Sequence, residues 1–297
     1  MALLLRELGE RGLLRELESR GLAGPIGDDV AVLGDGLVVT ADALAEDVHF
    51  RRGWTGWRDL GYKAAAVNLS DLAAAGAEPT ALFVVLSAPA DLELAAVLEV
   101  YSGLNEPGVP VRGGDTVAAE SVSVAVTAVG NSERVPGRGG ALPGDVLVVT
   151  GPLGAAAAGL WVLERGLTGF EELVAAHRRP PLRLAEGKRL AAVAHAMVDL
   201  SDGLVIDAGH IADQSSCAVE IDVELVPKHP RITELTDESL WTRGEDYELL
   251  AALTAAAADA MDLPVIGRCL PGSGARLLLG GEPYEARGFE HFSGCGS

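Results

Sequence analysis

The chain has 297 residues, 48% hydrophobic and 22% charged, a balance that excludes a wholly disordered chain and allows two packed cores. Its 23 basic and 43 acidic residues leave a net charge of −20. Such a chain repels phosphate backbones, which argues against a nucleic-acid partner; handling a nucleotide would need metal cations between the like charges.

Leucines at helical spacing predict an amphipathic helix over residues 2–20, bent near Gly9 and Gly12. Its charged residues make this segment unlike a signal peptide. No run of ~18 apolar residues is present to span a membrane, so a cytoplasmic protein is expected. Gly24 to Asp29 reads as a loop and 37–40 as a short strand running into Asp42. Residues 59–75 read as helix, 81–87 as strand and 92–104 as helix. Val111 to Thr116 reads as a strand end followed by a tight turn, and 121–129 as a half-buried strand.

The glycine- and proline-rich stretch 131–145 is the best linker. It predicts two domains, 1–133 and 134–297. After it come strand 146–150, helix 155–165, helix 182–195, strand 197–200 and helix 203–214. Strand 247–253, helix 255–261 and strand 265–269 close the prediction. Strands alternate with helices in both halves, so the expected class is mixed α/β. Cys217, Cys269 and Cys295 form no CxxC pair; they signal neither a zinc site nor a disulfide framework and suit a reducing compartment.

Walker A, GxGxxG, GxSxG and HExxH motifs are all absent. What stands out is aspartate beside Gly, Ser or Thr at or near predicted strand ends: Asp28-Asp29, Asp42, Asp71, Asp115, Asp199 and Asp202. Each has a plain structural reading as a turn or helix-cap residue; Asp71, for example, could cap the stretch 72–75. One metal-binding constellation is the more economical account of all of them, since magnesium prefers carboxylate, phosphate and water oxygens. Gly113-Gly114 would let the backbone approach a phosphate, and Arg138 in the linker could reach one.

These residues resemble the thiamine-monophosphate kinases, of the superfamily that includes aminoimidazole-ribonucleotide synthetase, selenophosphate synthetase and a hydrogenase-maturation factor. The matching stretches are 27–33, Asp42 to Phe50, Tyr62 to Ala77 and Gly113 to Thr116, then Asp199 to Leu204, Gly244 to Leu249 and Gly288 to Phe292. The resemblance implies a two-domain synthetase-like fold whose N-terminal sheet forms a barrel across a homodimer. It implies several Mg2+ ions held at Asp29, Thr40, Ala41, Asp42, Asp71, Asp115, Asp199 and Asp202. Ala41 stands where the family usually has Ser or Thr, so a contact there would come from its backbone carbonyl. ATP contacts are implied at Gly114, Asp115, Arg138 and Ser201, and contacts to thiamine monophosphate at His49, Glu245 and Phe289.

Two relatives fit less well. The synthetase of selenophosphate uses an N-terminal cysteine or selenocysteine, and this chain has none before Cys217. The hydrogenase factor uses a terminal cysteine, whereas Cys295 is followed by Gly296-Ser297. The expected activity is therefore transfer of the ATP γ-phosphate to thiamine monophosphate; another ATP-using synthetase or a silent nucleotide-binding module is the alternative. The acceptor is a phosphate monoester, already largely dianionic at neutral pH, so no catalytic base is assigned.

Overall fold

The computed structural model describes residues 4–24, 26–286 and 288–289. Cys295 and the family-like ending from Glu290 onward lie outside them. The first helix, α1 (Leu5–Ser19), breaks at Gly9, whose φ is 65°, and buries no residue completely. The N-terminal domain continues through β1 (Ala31–Gly34), β2 (Leu37–Ala45), α2 (Trp57–Ala74), β3 (Glu78–Ala88), α3 (Leu94–Asn105), β4 (Val111–Ala118) and β5 (Ser123–Asn131). Its sheet runs β1-β2-β5-β3-β4, antiparallel except for β3 against β4. Alternation along β5 sends Val124, Val126 and Ala128 inward against α2. Helix α2 is almost wholly buried because it packs that sheet on one side and α3 on the other.

The second domain contains β6 (Val146–Val149), α4 (Ala155–Arg165), α5 (Glu171–Arg178), α6 (Leu184–Ala191), β7 (Ala196–Asp199), α7 (Leu204–Ser215) and β8 (Ala218–Asp222). Then follow β9 (Leu249–Leu253), α8 (Ala255–Met261), β10 (Val265–Leu270), β11 (Gly274–Leu279) and β12 (Glu282–Tyr284). Its sheet is ordered β12-β11-β8-β10-β6-β9-β7. One face carries the core of Leu147, Val198, Leu204, Ile211 and Trp161. The other packs Val148, Met197 and Leu249 against Leu190 of α6 and Ala73 and Ala74 of α2. Helix α2 thus belongs to both cores and ties the domains together.

The structure revises several sequence expectations. Strand β2 extends to residue 45, so Asp42 lies inside a strand rather than beyond it. Gly113 to Thr116 is strand, not turn. A Cβ on Gly114 would lie 1.7 Å from the Val84 carbonyl oxygen, so glycine there serves close strand approach and not chain reversal. Helix 182–195 shortens to α6, while α5 and the strands β1, β8, β11 and β12 are additional. Asp71 sits in the last turn of α2 and is no cap for residues 72–75.

The five-stranded sheet is open, with β1 and β4 as its edges. Phe83, Val85 and Val117 stand exposed on the face away from α2. Cys217 and Cys269 are fully buried free thiols; burial pushes Cys217 up and Cys269 to about 12, which makes both poor nucleophiles. No described helix is long and apolar enough to cross a membrane.

Candidate functional site

Three carboxylates from three parts of the chain converge where the domains meet. Asp29 comes from the loop before β1, Asp71 from the end of α2 and Asp199 from the end of β7; one oxygen of each lies within 4.8 Å of the others. Neighbouring groups fix their orientation. The Thr40 hydroxyl donates to Asp71 Oδ2 at 2.5 Å, and the Ser70 hydroxyl donates to Asp199 Oδ2 at 2.6 Å. Arg138 Nε donates to Asp29 Oδ1 at 3.0 Å. The Asn68 side-chain oxygen accepts from the Asp42 N–H at 2.9 Å, which anchors β2 to α2.

Burial and mutual repulsion, the latter including Asp42, raise all three. Asp29 is pushed up to about 6, Asp199 to about 8 and Asp71 well above the usual carboxylate range. Asp29 Oδ2 is buried with no hydrogen-bond donor. Buried polar atoms are nearly always satisfied, so an orphaned carboxylate oxygen in an all-oxygen cluster suits a hard cation.

The remaining expected ligands are distributed differently. Asp202, just before α7, groups with Asp207 and His210 instead. The Asp207 carboxylate accepts the N–H groups of Asp202 and Gly203, folding back over the start of its own helix. Burial, then Arg138 and Arg11, lowers His210 to about 3. Ala41 and Asp42 point to opposite faces of β2 by strand alternation. Asp115 is further away. The row Asp42–Val126–Val84–Gly114 crosses four strands, so Asp115 lies about 14 Å across the sheet from Asp42. It points to the outer face with Phe83, Val85 and Val117. Within one chain neither Gly114 nor Asp115 joins the cluster.

The motif from Gly244 to Glu248 divides its carboxylates among three tasks. Glu245 faces Lys63 Nζ at 2.8 Å. Asp246 accepts from the Gly154 N–H at the start of α4. Glu248 receives both the Thr150 hydroxyl, at 2.6 Å, and a two-pronged contact from Arg183. A Cβ on Gly244 would lie 2.3 Å from the Ser201 carbonyl oxygen, so the motif presses directly on the Asp199–Gly203 turn. The Ser201 carbonyl also accepts from the Glu245 N–H at 2.8 Å.

His49 accepts from the Ala45 N–H at 3.1 Å. With Phe50, Trp54, Leu160, Glu164 and His177 it lines a cavity of about 90 Å³ between the domains. Phe289 is held near Asp202 by a backbone bond of 2.9 Å and is 47% exposed. Lys63 and His177 were missed by sequence reading. Lys63 lies inside a recognised stretch but is set among alanines; His177 stands alone on a short helix.

The fold and this cluster together define a two-domain α/β protein suited to hard divalent cations and the phosphates they carry. Residues 27–131 match the N-terminal domain of the AIR synthase related proteins, and residues 143–263 match the C-terminal domain. A thiamine-monophosphate kinase of Aquifex aeolicus is 34% identical, over 97% of this chain and 99% of its own. One from Mycobacterium tuberculosis is 36% identical, over 94% and 90%. The structure of AaThiL complexed with AMPPCP and TMP superposes with a TM-score of 0.91 at 33% identity, covering 98% of this chain and 99% of that one. The chain belongs to the AIR synthase related family and, within it, to the thiamine-monophosphate kinases.

Proposed function

We propose that the protein transfers the γ-phosphate of ATP to the phosphate of thiamine monophosphate, releasing thiamine diphosphate and ADP. The observation that carries this reading is the partly buried Asp29–Asp71–Asp199 cluster with its orphaned Oδ2 atom. Its support is full-length similarity to named kinases and to a relative complexed with AMPPCP and TMP.

Asp29, Asp71 and Asp199, with Asp42 and Asp202 at the margin, would hold Mg2+. When bound, the ions neutralise the charge on the phosphates. Thr40 acts by orienting Asp71, and Ala41 only through its backbone. Arg138 and Ser201 are assigned to ATP, and His49, Glu245 and Phe289 to the thiamine phosphate. The chain's own contribution is positioning: Ser70, Thr40 and Arg138 lock the carboxylates so that two anions can be brought in line. The acceptor phosphate requires no proton removal. Free thiamine offers a hydroxyl that does, and general-base help is worth ~10²–10⁴ in rate. With ATP and magnesium, thiamine monophosphate should therefore give thiamine diphosphate, while free thiamine reacts at least ~100-fold more slowly. Equal turnover of the two would refute the assignment.

The reading includes a domain division near residue 133, a cytoplasmic setting and a homodimer. Its dimer joins the exposed Phe83, Val85 and Val117 face to a second copy, closing the open sheet into a barrel. Gly114 and Asp115, on the edge strand, then act across that junction. Light scattering at micromolar concentration should return about twice the 30.6 kDa chain mass; a monomer mass would remove the barrel.

A further inference from the structure

Among the described residues, Lys63 is the largest side chain with under 2% of its surface exposed. It projects from α2 of the first domain, and Glu245, its ion-pair partner, belongs to the second. On the other side of that carboxylate, His177 of α5 brings Nδ1 to 3.1 Å of Glu245 Oε2, close but off the hydrogen-bond line. His177 also lines the interdomain cavity with His49, Phe50 and Trp54.

The backbone here is unusual. Glu245 has φ +61° and Tyr247 φ +51°, conformations that non-glycine residues rarely adopt. Tyr247 nevertheless plants its ring in the N-terminal core. Such strain persists only where the surroundings hold it, and it clusters at functional sites; here it adjoins the cavity wall through His177. An ion pair with one partner buried and the other largely covered is also a poor source of stability compared with apolar packing. It is an effective way to keep a carboxylate anionic and still. Burial alone would raise Glu245, yet Lys63 and then His177 hold it well below the usual carboxylate range.

We propose that Lys63 and His177 are positioning residues that fix Glu245 as an anionic wall for the permanently cationic heteroaromatic half of thiamine monophosphate. This rests on the reading above that Glu245 contacts that substrate. Neither residue belongs to the carboxylate cluster assigned to the metal and phosphates, so their effect falls on acceptor binding. Lys63 supplies the charge from α2. His177 supplies a donor that can align once a ligand draws the carboxylate toward the cavity.

The test is steady-state kinetics on Lys63→Met, Glu245→Gln and the double variant in the full chain. Each single change should raise KM for thiamine monophosphate about tenfold, the scale of one charge-assisted contact. KM for ATP and kcat should stay within about threefold of the parent, because the phosphate site is untouched. The double variant should be no worse than the worse single one, as expected for residues acting as one unit. A folded Lys63→Met with unchanged KM for thiamine monophosphate, or additive losses in the double variant, would overturn the proposal. If Glu245→Gln alone were silent, the assignment of Glu245 to the substrate would fail first, and the proposal with it. Should Lys63→Met not fold, His177→Gln takes its place: KM for thiamine monophosphate should rise about threefold or more with KM for ATP unchanged, and no rise would overturn the proposal.

Discussion

Asp71→Asn should lower kcat at least ~100-fold, the typical cost of losing one preorganised electrostatic contact in the transition state. The same variant, free of metal, should be as stable as the parent or more so. Asp71 is half-buried beside Asp29, Asp42 and Asp199, and all three repel its charge. It also sits in the last turn of α2, where the helix dipole disfavours an anion. Asn keeps an oxygen for the Thr40 hydroxyl but removes the repelling charge. Losing activity while keeping or gaining stability is the signature of a residue held for function at a structural cost. Circular dichroism melting in EDTA, paired with initial rates in magnesium, measures both quantities. Near-parental kcat at sub-millimolar magnesium would remove Asp71 from the site.

A second large effect concerns magnesium and pH. Asp29 and Asp199 have folded-state values of about 6 and about 8, above the ordinary 3.8. Between pH ~4 and ~8 the metal-free fold therefore binds more protons than the unfolded chain, so its stability falls as pH rises through that window and levels off above it. A bound divalent cation replaces those protons. The magnesium-induced rise in Tm should be small at pH 5 and large at pH 8, roughly 5 °C or more at ~100 times the Kd. Thermal melts at the two pH values, with and without magnesium, check this. A Tm gain independent of pH would mean that the ion sits elsewhere, and Asp71→Asn should reduce the gain at pH 8.

How much of this was legible in the sequence depended on how local each signal was. The Asp199–Gly203 turn and the block from Tyr62 to Ala77 carry their residue types in short, dense runs, and both deliver a carboxylate to the cluster. Asp115 was legible as a residue but not as a place. Two adjacent glycines suggest a turn, whereas the close approach of Val84 keeps them in an edge strand. Lys63 and His177 gave no local sign, because their meaning arises only when α2, α5 and the Gly244–Glu248 segment meet. Asp207 is similar: four residues inside α7, it reads as an ordinary helix-surface acid until its carboxylate is seen on the Gly203 N–H. Strands β8 and β11 were missed because Glu220 and Arg276 interrupt their apolar pattern, and these two residues pair across the sheet. Helix α5 has only eight residues, too short for a strong periodic signal.

The central claim is direct phosphoryl transfer at a carboxylate-held metal site, and one measurement tests it most directly. Purified protein is incubated with thiamine monophosphate, magnesium and ATP labelled in its γ-phosphate, and the label is followed by chromatography. The account predicts that label appears in thiamine diphosphate in a one-to-one ratio with ADP, and that excess EDTA abolishes both products. Release of label only as inorganic phosphate, or formation of AMP in place of ADP, would contradict it.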